Sequence, residues 1–148
     1  MKLLFDRYGN DAFRLAYSYL GSRQDAEDVC QSVFVNLATR SAKLIQGKEK
    51  SLLLTCVANA CKNHLRSFWR RNVQPLDESV PFHTQQDSEL HDAVMRLPSG
   101  YRVVIHLYYF EGYDQGQISS ILGISRTAVQ TRMSRAREML KKELSEID

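Results

Sequence analysis

Apolar side chains recur along this chain at the three- and four-residue spacing of amphipathic helices. A first pattern ends at Gly21, and a second begins at Ser22 and runs to Leu37. The polar stretch 41–51 predicts a loop. A third pattern ends near residues 67–71, and its stripe comprises Leu54, Val57, Ala58, Cys61 and Leu65. These patterns predict three helices in the first half.

The second half continues in the same way after a polar interruption. Residues 72–87 contain two prolines and no helical stripe, which is the composition of a linker. Apolar residues return from Leu90 to Leu97, break at Pro98 and continue to Gly112. Since no stretch alternates with period two, we predict an all-α protein of two small helical bundles, 1–71 and 88–148, joined by a flexible linker.

Residues 113–142 have the local chemistry of a helix-turn-helix. Asp114 and Gln117 form a possible capping box, Gly123 permits a positive φ, and Ser125 can cap the following helix. On that second helix, apolar residues at spacings of three and four predict a buried stripe. They are Val129, Met133, Ala136, Leu140 and Leu144.

The opposite face of this second helix is polar and basic. Between Ser125 and Lys142 stand six Lys or Arg against one acid, a stronger imbalance than the net +3 of the whole chain. Such side chains donate to base edges and phosphates, so the face predicts nucleic-acid binding. The alternative is a solvated helix beside a tight turn.

Composition and cysteine use exclude several other classes. With 43% hydrophobic and 25% charged residues, no signal peptide and no apolar run of membrane-spanning length, we expect a cytoplasmic protein without membrane insertion. The three cysteines are predicted to be free thiols. Cys61 and His64 have the spacing of two metal ligands, but no second pair completes a site, so we expect neither metal nor cofactor.

Two segments resemble the extracytoplasmic-function sigma factors, small two-domain proteins that direct RNA polymerase to promoters. Residues 25–34, DAEDVCQSVF, are similar to the family's region two, and residues 97–113 with the helix-turn-helix are similar to region four. The resemblance implies core RNA polymerase as a partner, bound through its β′ clamp helices and its β flap. The residues it assigns to polymerase binding are Asp28, Gln31 and Phe34.

The resemblance also implies where promoter DNA binds. Residues 52–66 are similar to the helix that melts the −10 element, with Asn59 holding a flipped base and residues 46–51 completing the pocket. The −10 candidates are Asn59, Lys62, Asn63, Arg66, Arg70 and Arg71. The −35 candidates are Arg126, Thr127, Gln130, Thr131, Ser134 and Arg135. An anti-sigma factor is a further implied partner.

Some positions depart from the family pattern, and simpler interpretations stay open. Leu52 stands where a tryptophan is usual, and Asn63 where an aspartate is frequent. Without the resemblance, Asn59 could simply be an exposed polar residue on a helix. Arg66, Arg70 and Arg71 could form a solvated helix end. Trp69 could stack on a base or belong to the core.

Two other functions compete with this one. An autonomous helix-turn-helix regulator would bind duplex DNA tightly by itself, without forming a holoenzyme. An enzyme would need chemistry that the sequence lacks, since there is no nucleotide-binding glycine loop and the four histidines are scattered. We therefore expect a protein that is not an enzyme.

Overall fold

The computed structural model describes residues 2–39, 48–71 and 88–145. The described residues form seven α-helices and one five-residue π-helical segment, His106–Phe110, and no strand, which confirms the all-α prediction. The helices are α1 Lys2–Leu20, α2 Arg23–Thr39, α3 Glu49–Arg71, α4 Ser88–Arg96, α5 Ser99–Ile105, α6 Gln115–Leu122 and α7 Arg126–Ser145. The predicted linker, 72–87, lies outside the described residues.

The junction between α1 and α2 follows its local sequence. Gly21 adopts a φ of +67°, and its N–H donates to the Tyr17 carbonyl at 2.8 Å, which ends α1. Ser22 then accepts the Asp25 N–H on its hydroxyl at 3.3 Å and caps α2. Both predicted boundaries are confirmed.

The start of α3 corrects a predicted boundary. The sequence predicted a loop up to Ser51, but the helix begins at Glu49 and the Leu52 N–H donates to the Lys48 carbonyl at 3.0 Å. A polar first turn is compatible with a helix because Ser51 is exposed and Glu49 and Lys50 are only partly buried. The Glu49 carboxylate also suits the positive end of the helix dipole. Residues 41–47 lie outside the described residues.

Each half buries its own apolar stripes. In the first, α1, α2 and α3 pack around Leu15, Leu53 and Val57, together with the free thiol of Cys61. In the second, α4 to α7 enclose a core that includes Val103, Leu107, Ile118, Leu122 and Met133.

The two halves also pack against each other. Helix α1 contacts α5 and the π-helical segment, and α3 contacts α6, so the buried residues of both halves form one continuous core. Among the described helices, none has the length and hydrophobicity needed to cross a membrane. The helix-turn-helix of α6 and α7 is thereby held beside α3.

Candidate nucleic-acid interface

The first helix of the helix-turn-helix begins with the predicted capping box. The Asp114 carboxylate accepts the Gln117 backbone N–H at 2.8 Å, and the Gln117 side chain accepts the Asp114 N–H at 2.9 Å. These two bonds satisfy backbone donors that the first helical turn leaves unpaired. The cap therefore fixes where α6 starts.

The turn between α6 and α7 depends on Gly123 and on Ser119. Gly123 has φ 68° and ψ 34°, and its N–H donates to the Ser119 carbonyl at 2.9 Å. The Ser119 hydroxyl donates to the Ile124 carbonyl at 2.5 Å, which closes the turn from the other side. The Ser125 hydroxyl then accepts the Ala128 N–H at 3.0 Å and caps α7, as predicted.

Helix α7 buries one stripe and exposes the face predicted to contact DNA. Val129, Met133 and Ala136 are fully buried, and Leu140 and Leu144 are half-buried. Exposure to solvent is common to all six −35 candidates: Arg126, Thr127, Gln130, Thr131, Ser134 and Arg135. The helix is anchored from behind, and its exposed face has the position that a recognition helix presents to a major groove.

Two of these side chains are already positioned by α6. The Gln130 amide donates to the Gln115 side-chain oxygen at 3.2 Å. The Arg126 guanidinium lies over Gly116, where an added Cβ would stand 2.8 Å from the arginine Nη2. A larger residue at position 116 would displace Arg126.

Arg137 is turned away from the polar face. Its Nε donates to the Tyr109 hydroxyl at 2.8 Å, and its guanidinium lies 5.8 Å and 5.7 Å from the ring centres of Tyr108 and Tyr109. These contacts tie α7 to the π-helical segment. Arg137 keeps its charge, but its guanidinium is held on the side of α7 that faces the π-helical segment.

On α3, the −10 candidates divide by exposure. Asn59, Asn63 and Arg66 are exposed. Lys62 is half-buried, and its Nζ donates to the backbone carbonyl of Leu122 at the end of α6. Burial lowers the pKa of Lys62, with further lowering by the charges of Arg132 and Arg66. The side chains of Arg70, Arg71 and Trp69, and residues 46–47 of the predicted pocket, lie outside the part that the structure describes.

The predicted polymerase-binding residues on α2 differ in their exposure to solvent. Asp28 and Gln31 are exposed, but Phe34 is only 7% exposed and packs edge-on against Phe5, with ring centres 5.1 Å apart. Phe34 therefore supports this surface from the core. Phe5, whose side chain is 54% exposed, presents an apolar surface to solvent.

Contacts between the halves include residues that the sequence analysis missed. Arg102 is buried within α5 and donates to backbone carbonyls of both halves. Arg14 on α1 donates to Glu111 at 2.6 Å. Burial alone would raise the pKa of Glu111, but the hydrogen bond from Arg14 and the charges of His106, Arg14 and Lys50 lower it below its usual range. The sequence feature that could have identified Arg102 is a basic residue within an apolar run.

Known family models match both halves of the chain. Residues 4–71 match the model of sigma-70 region 2, and residues 87–140 match the model of sigma-70 region 4. The first range covers most of α1 and all of α2 and α3, and the second covers α4 to α6 and most of α7. The chain therefore belongs to the sigma-70 family of RNA polymerase sigma factors.

Within this family, the chain belongs to the extracytoplasmic-function (ECF) group, because its relatives are ECF sigma factors. RNA polymerase sigma factor SigV of Bacillus subtilis is 29% identical over 146 residues, covering 93% of this chain and 87% of that protein. The ECF RNA polymerase sigma factor SigW of the same organism is 24% identical, covering 97% and 88%.

Solved structures share the fold. The sigma factor RpoE, in complex with the anti-sigma factor NepR from Bartonella quintana, matches with a TM-score of 0.78 and 23% identity over 98% of each chain. CnrH, in complex with the cytosolic domain of CnrY, matches with a TM-score of 0.68 and 22% identity over 99% of this chain and 88% of that chain.

Proposed function

We propose that this sigma factor recognises the −35 element with the exposed face of α7 and the −10 element with the exposed face of α3. The observation that carries the proposal is the shared exposure of the six −35 candidates on a helix whose opposite stripe is buried. A recognition helix docks in the major groove with its N-terminal residues on base edges, and these six lie in the first half of α7.

On α3, Asn59, Asn63 and Arg66 share one exposed face, since they are spaced by four and three residues. Arg66 suits the phosphate backbone, and Asn59 offers an amide to a base extruded from the duplex. Opening DNA costs stacking free energy of about 1.4 kcal/mol per step, and a pocket for an extruded base recovers part of it. The chain thus supplies binding free energy, and the polymerase carries out the chemistry.

Asp28 and Gln31 are our candidates for contact with the β′ clamp helices, because they share the exposed side of α2 in the segment that resembles region two. The buried Phe34 supports this surface of α2 from the core. We propose an anti-sigma factor as a further partner, since RpoE of similar fold was solved with the anti-sigma factor NepR.

The test is transcription from one promoter, first found by run-off transcription on fragmented genomic DNA with core polymerase. We expect Arg135→Ala and Gln130→Ala to lower transcription about tenfold and to weaken discrimination at single −35 base pairs, since a lost base contact costs about 1–3 kcal/mol. Lys141→Ala is the matched control, because it removes an exposed charge from the far half of the same helix. Equal losses on every −35 sequence would rule out base recognition.

A further inference from the structure

The first turn of α6 lies against the edge of α7 that carries two of the −35 candidates. Gln115 is the first residue of α6 and is half-buried, and its Oε1 accepts a hydrogen bond from Nε2 of Gln130 at 3.2 Å. Gly116 follows, and the Arg126 guanidinium lies over it, 2.8 Å from where a Cβ would stand. Since Arg126 and Gln130 are four residues apart, both lie on one side of α7. Residues of α6 thus contact the DNA-facing side chains of α7 in the free chain.

The bond to Gln115 orients the Gln130 amide. A glutamine amide has one oxygen that accepts and one nitrogen that donates through two N–H groups. The torsion that interchanges these two ends is broad in a side chain that nothing holds. An acceptor at Gln115 Oε1 turns the nitrogen end of Gln130 toward α6. Gln130 therefore offers DNA its second N–H and its Oε1, a donor and an acceptor side by side.

This donor and acceptor match adenine. In the major groove, adenine presents the N7 acceptor beside the N6 amino donor, whereas guanine presents two acceptors, N7 and O6. The free N–H of Gln130 can donate to adenine N7 while its Oε1 accepts from N6. Guanine would place O6 opposite Oε1, so two acceptors would face each other. An amide that is free to turn accommodates either purine, and one that is held by Gln115 does not.

We propose that Gln115 is a positioning residue that makes Gln130 select adenine at the base pair it contacts in the −35 element. This inference rests on the proposed function, which assigns Gln130 to that element. Gln115 lies outside the recognition helix and determines specificity only through Gln130. Because the amide is oriented before DNA binds, its ordering adds little to the cost of binding.

Three substitutions at position 115 separate the chemistry of the contact. Gln115→Glu supplies a carboxylate that only accepts, so it can bond only to the Gln130 nitrogen and should preserve adenine selection. Gln115→Lys supplies only donors, so it should bond to Gln130 Oε1 and turn both N–H groups toward the base, which favours guanine. Gln115→Leu offers neither, and the Gln130 amide becomes free to turn.

The measurement is run-off transcription by holoenzyme that contains the full chain, on one promoter carrying each base pair in turn at every −35 position. In the wild type we expect adenine to exceed guanine about tenfold at the position where Gln130→Ala removes the preference. The ratio should stay near wild type in Gln115→Glu, fall to about twofold or less in Gln115→Leu, and invert in Gln115→Lys. A charge at position 115 also changes binding to phosphates, but it does so on every sequence and cancels in the ratio.

Gln117→Leu is the matched control for damage to α6. Gln117 lies in the same helical turn, but its side chain accepts the Asp114 backbone N–H at 2.9 Å. Its loss breaks the capping box and should lower the melting temperature measured by circular dichroism, while the ratio of adenine to guanine stays unchanged. Gln115→Leu should do the opposite, with a changed ratio and a nearly unchanged melting temperature.

The alternative results are distinguishable. A wild-type ratio in Gln115→Leu, with the preference still lost in Gln130→Ala, would overturn the positioning role and leave the assignment of α7 to DNA intact. A wild type that prefers guanine through Gln130, or a ratio that Gln117→Leu also abolishes, would overturn the inference as well. If Gln130→Ala changes no preference, the proposed function is wrong at Gln130 and the inference fails with it, while Arg135→Ala shows whether α7 recognises the element at all.

Discussion

Asn59 and Lys62 lie one helical turn apart on α3, yet their surroundings differ. Asn59 is exposed, whereas Lys62 is half-buried and bonded to the end of α6. A neutral amide in solvent loses little when it turns to a base, because it exchanges one hydrogen-bond partner for another. Lys62 has to leave a protein carbonyl first. We therefore expect the two residues to act at different stages of promoter binding.

We expect Asn59→Ala to slow promoter opening more than it weakens the closed promoter complex. The amide is assigned to a base that leaves the duplex, and that base is extruded only when the strands separate. Permanganate, which reacts with unpaired thymines, should show a severalfold slower appearance of the melted segment, at nearly unchanged binding in a filter assay.

Asn10→Ala is the control for this experiment, because Asn10 is also an exposed asparagine on a helix of the first bundle. It should leave both the melting rate and the binding unchanged. Melting at the wild-type rate in Asn59→Ala would remove Asn59 from the pocket assignment.

At the scale of the element, the helix-turn-helix shows how closely local chemistry fixes structure. The cap at Asp114, the left-handed Gly123 and the cap at Ser125 were all predictable, because each makes its bonds within five residues along the chain. The π-helical segment His106–Phe110 was not predictable in this way. Its Glu111 N–H donates to the His106 carbonyl at 3.1 Å, a geometry for which the apolar pattern gives no signal.

Glycine substitutions test the turn. Gly123→Ala should lower the free energy of unfolding by about 1–2 kcal/mol, because φ stays at +68° and a Cβ there is strained even though it meets only the Lys62 Nζ at 3.9 Å. Gly9→Ala should instead raise it by about 0.5–1 kcal/mol, since Gly9 lies inside α1 and an added Cβ makes ordinary contact with Phe5 at 3.7 Å. Urea unfolding measures both, and the same sign for the two variants would contradict the account.

At the scale of the whole molecule, the sequence predicted the two bundles but not how they meet. Arg102 bonds to carbonyls more than eighty positions away, at Ser18 and Tyr19, and no local pattern carries such a contact. The candidate DNA face of α7 was predictable because it needs only a helical period and a charge count. The attachment of Arg137 to the π-helical segment was not predictable, since Tyr108 and Tyr109 come from another element.

We expect binding to core polymerase to depend on α2. Asp28→Ala combined with Gln31→Ala should lower affinity for core polymerase about tenfold or more in a quantitative pull-down, because both side chains face solvent and have no structural role to lose. Glu138→Ala removes an exposed acid from α7 and should leave this affinity unchanged. Undiminished binding of the double variant would show that Asp28 and Gln31 are only solvent-exposed polar residues of α2 and do not contact polymerase.

The most direct test of the account is run-off transcription with the purified chain and core polymerase on fragmented genomic DNA. We expect discrete start sites that require the chain, together with weak promoter binding by the chain alone. Absence of start-site selection, combined with tight binding of the free chain to duplex sites, would contradict it and would indicate a regulator that acts without polymerase.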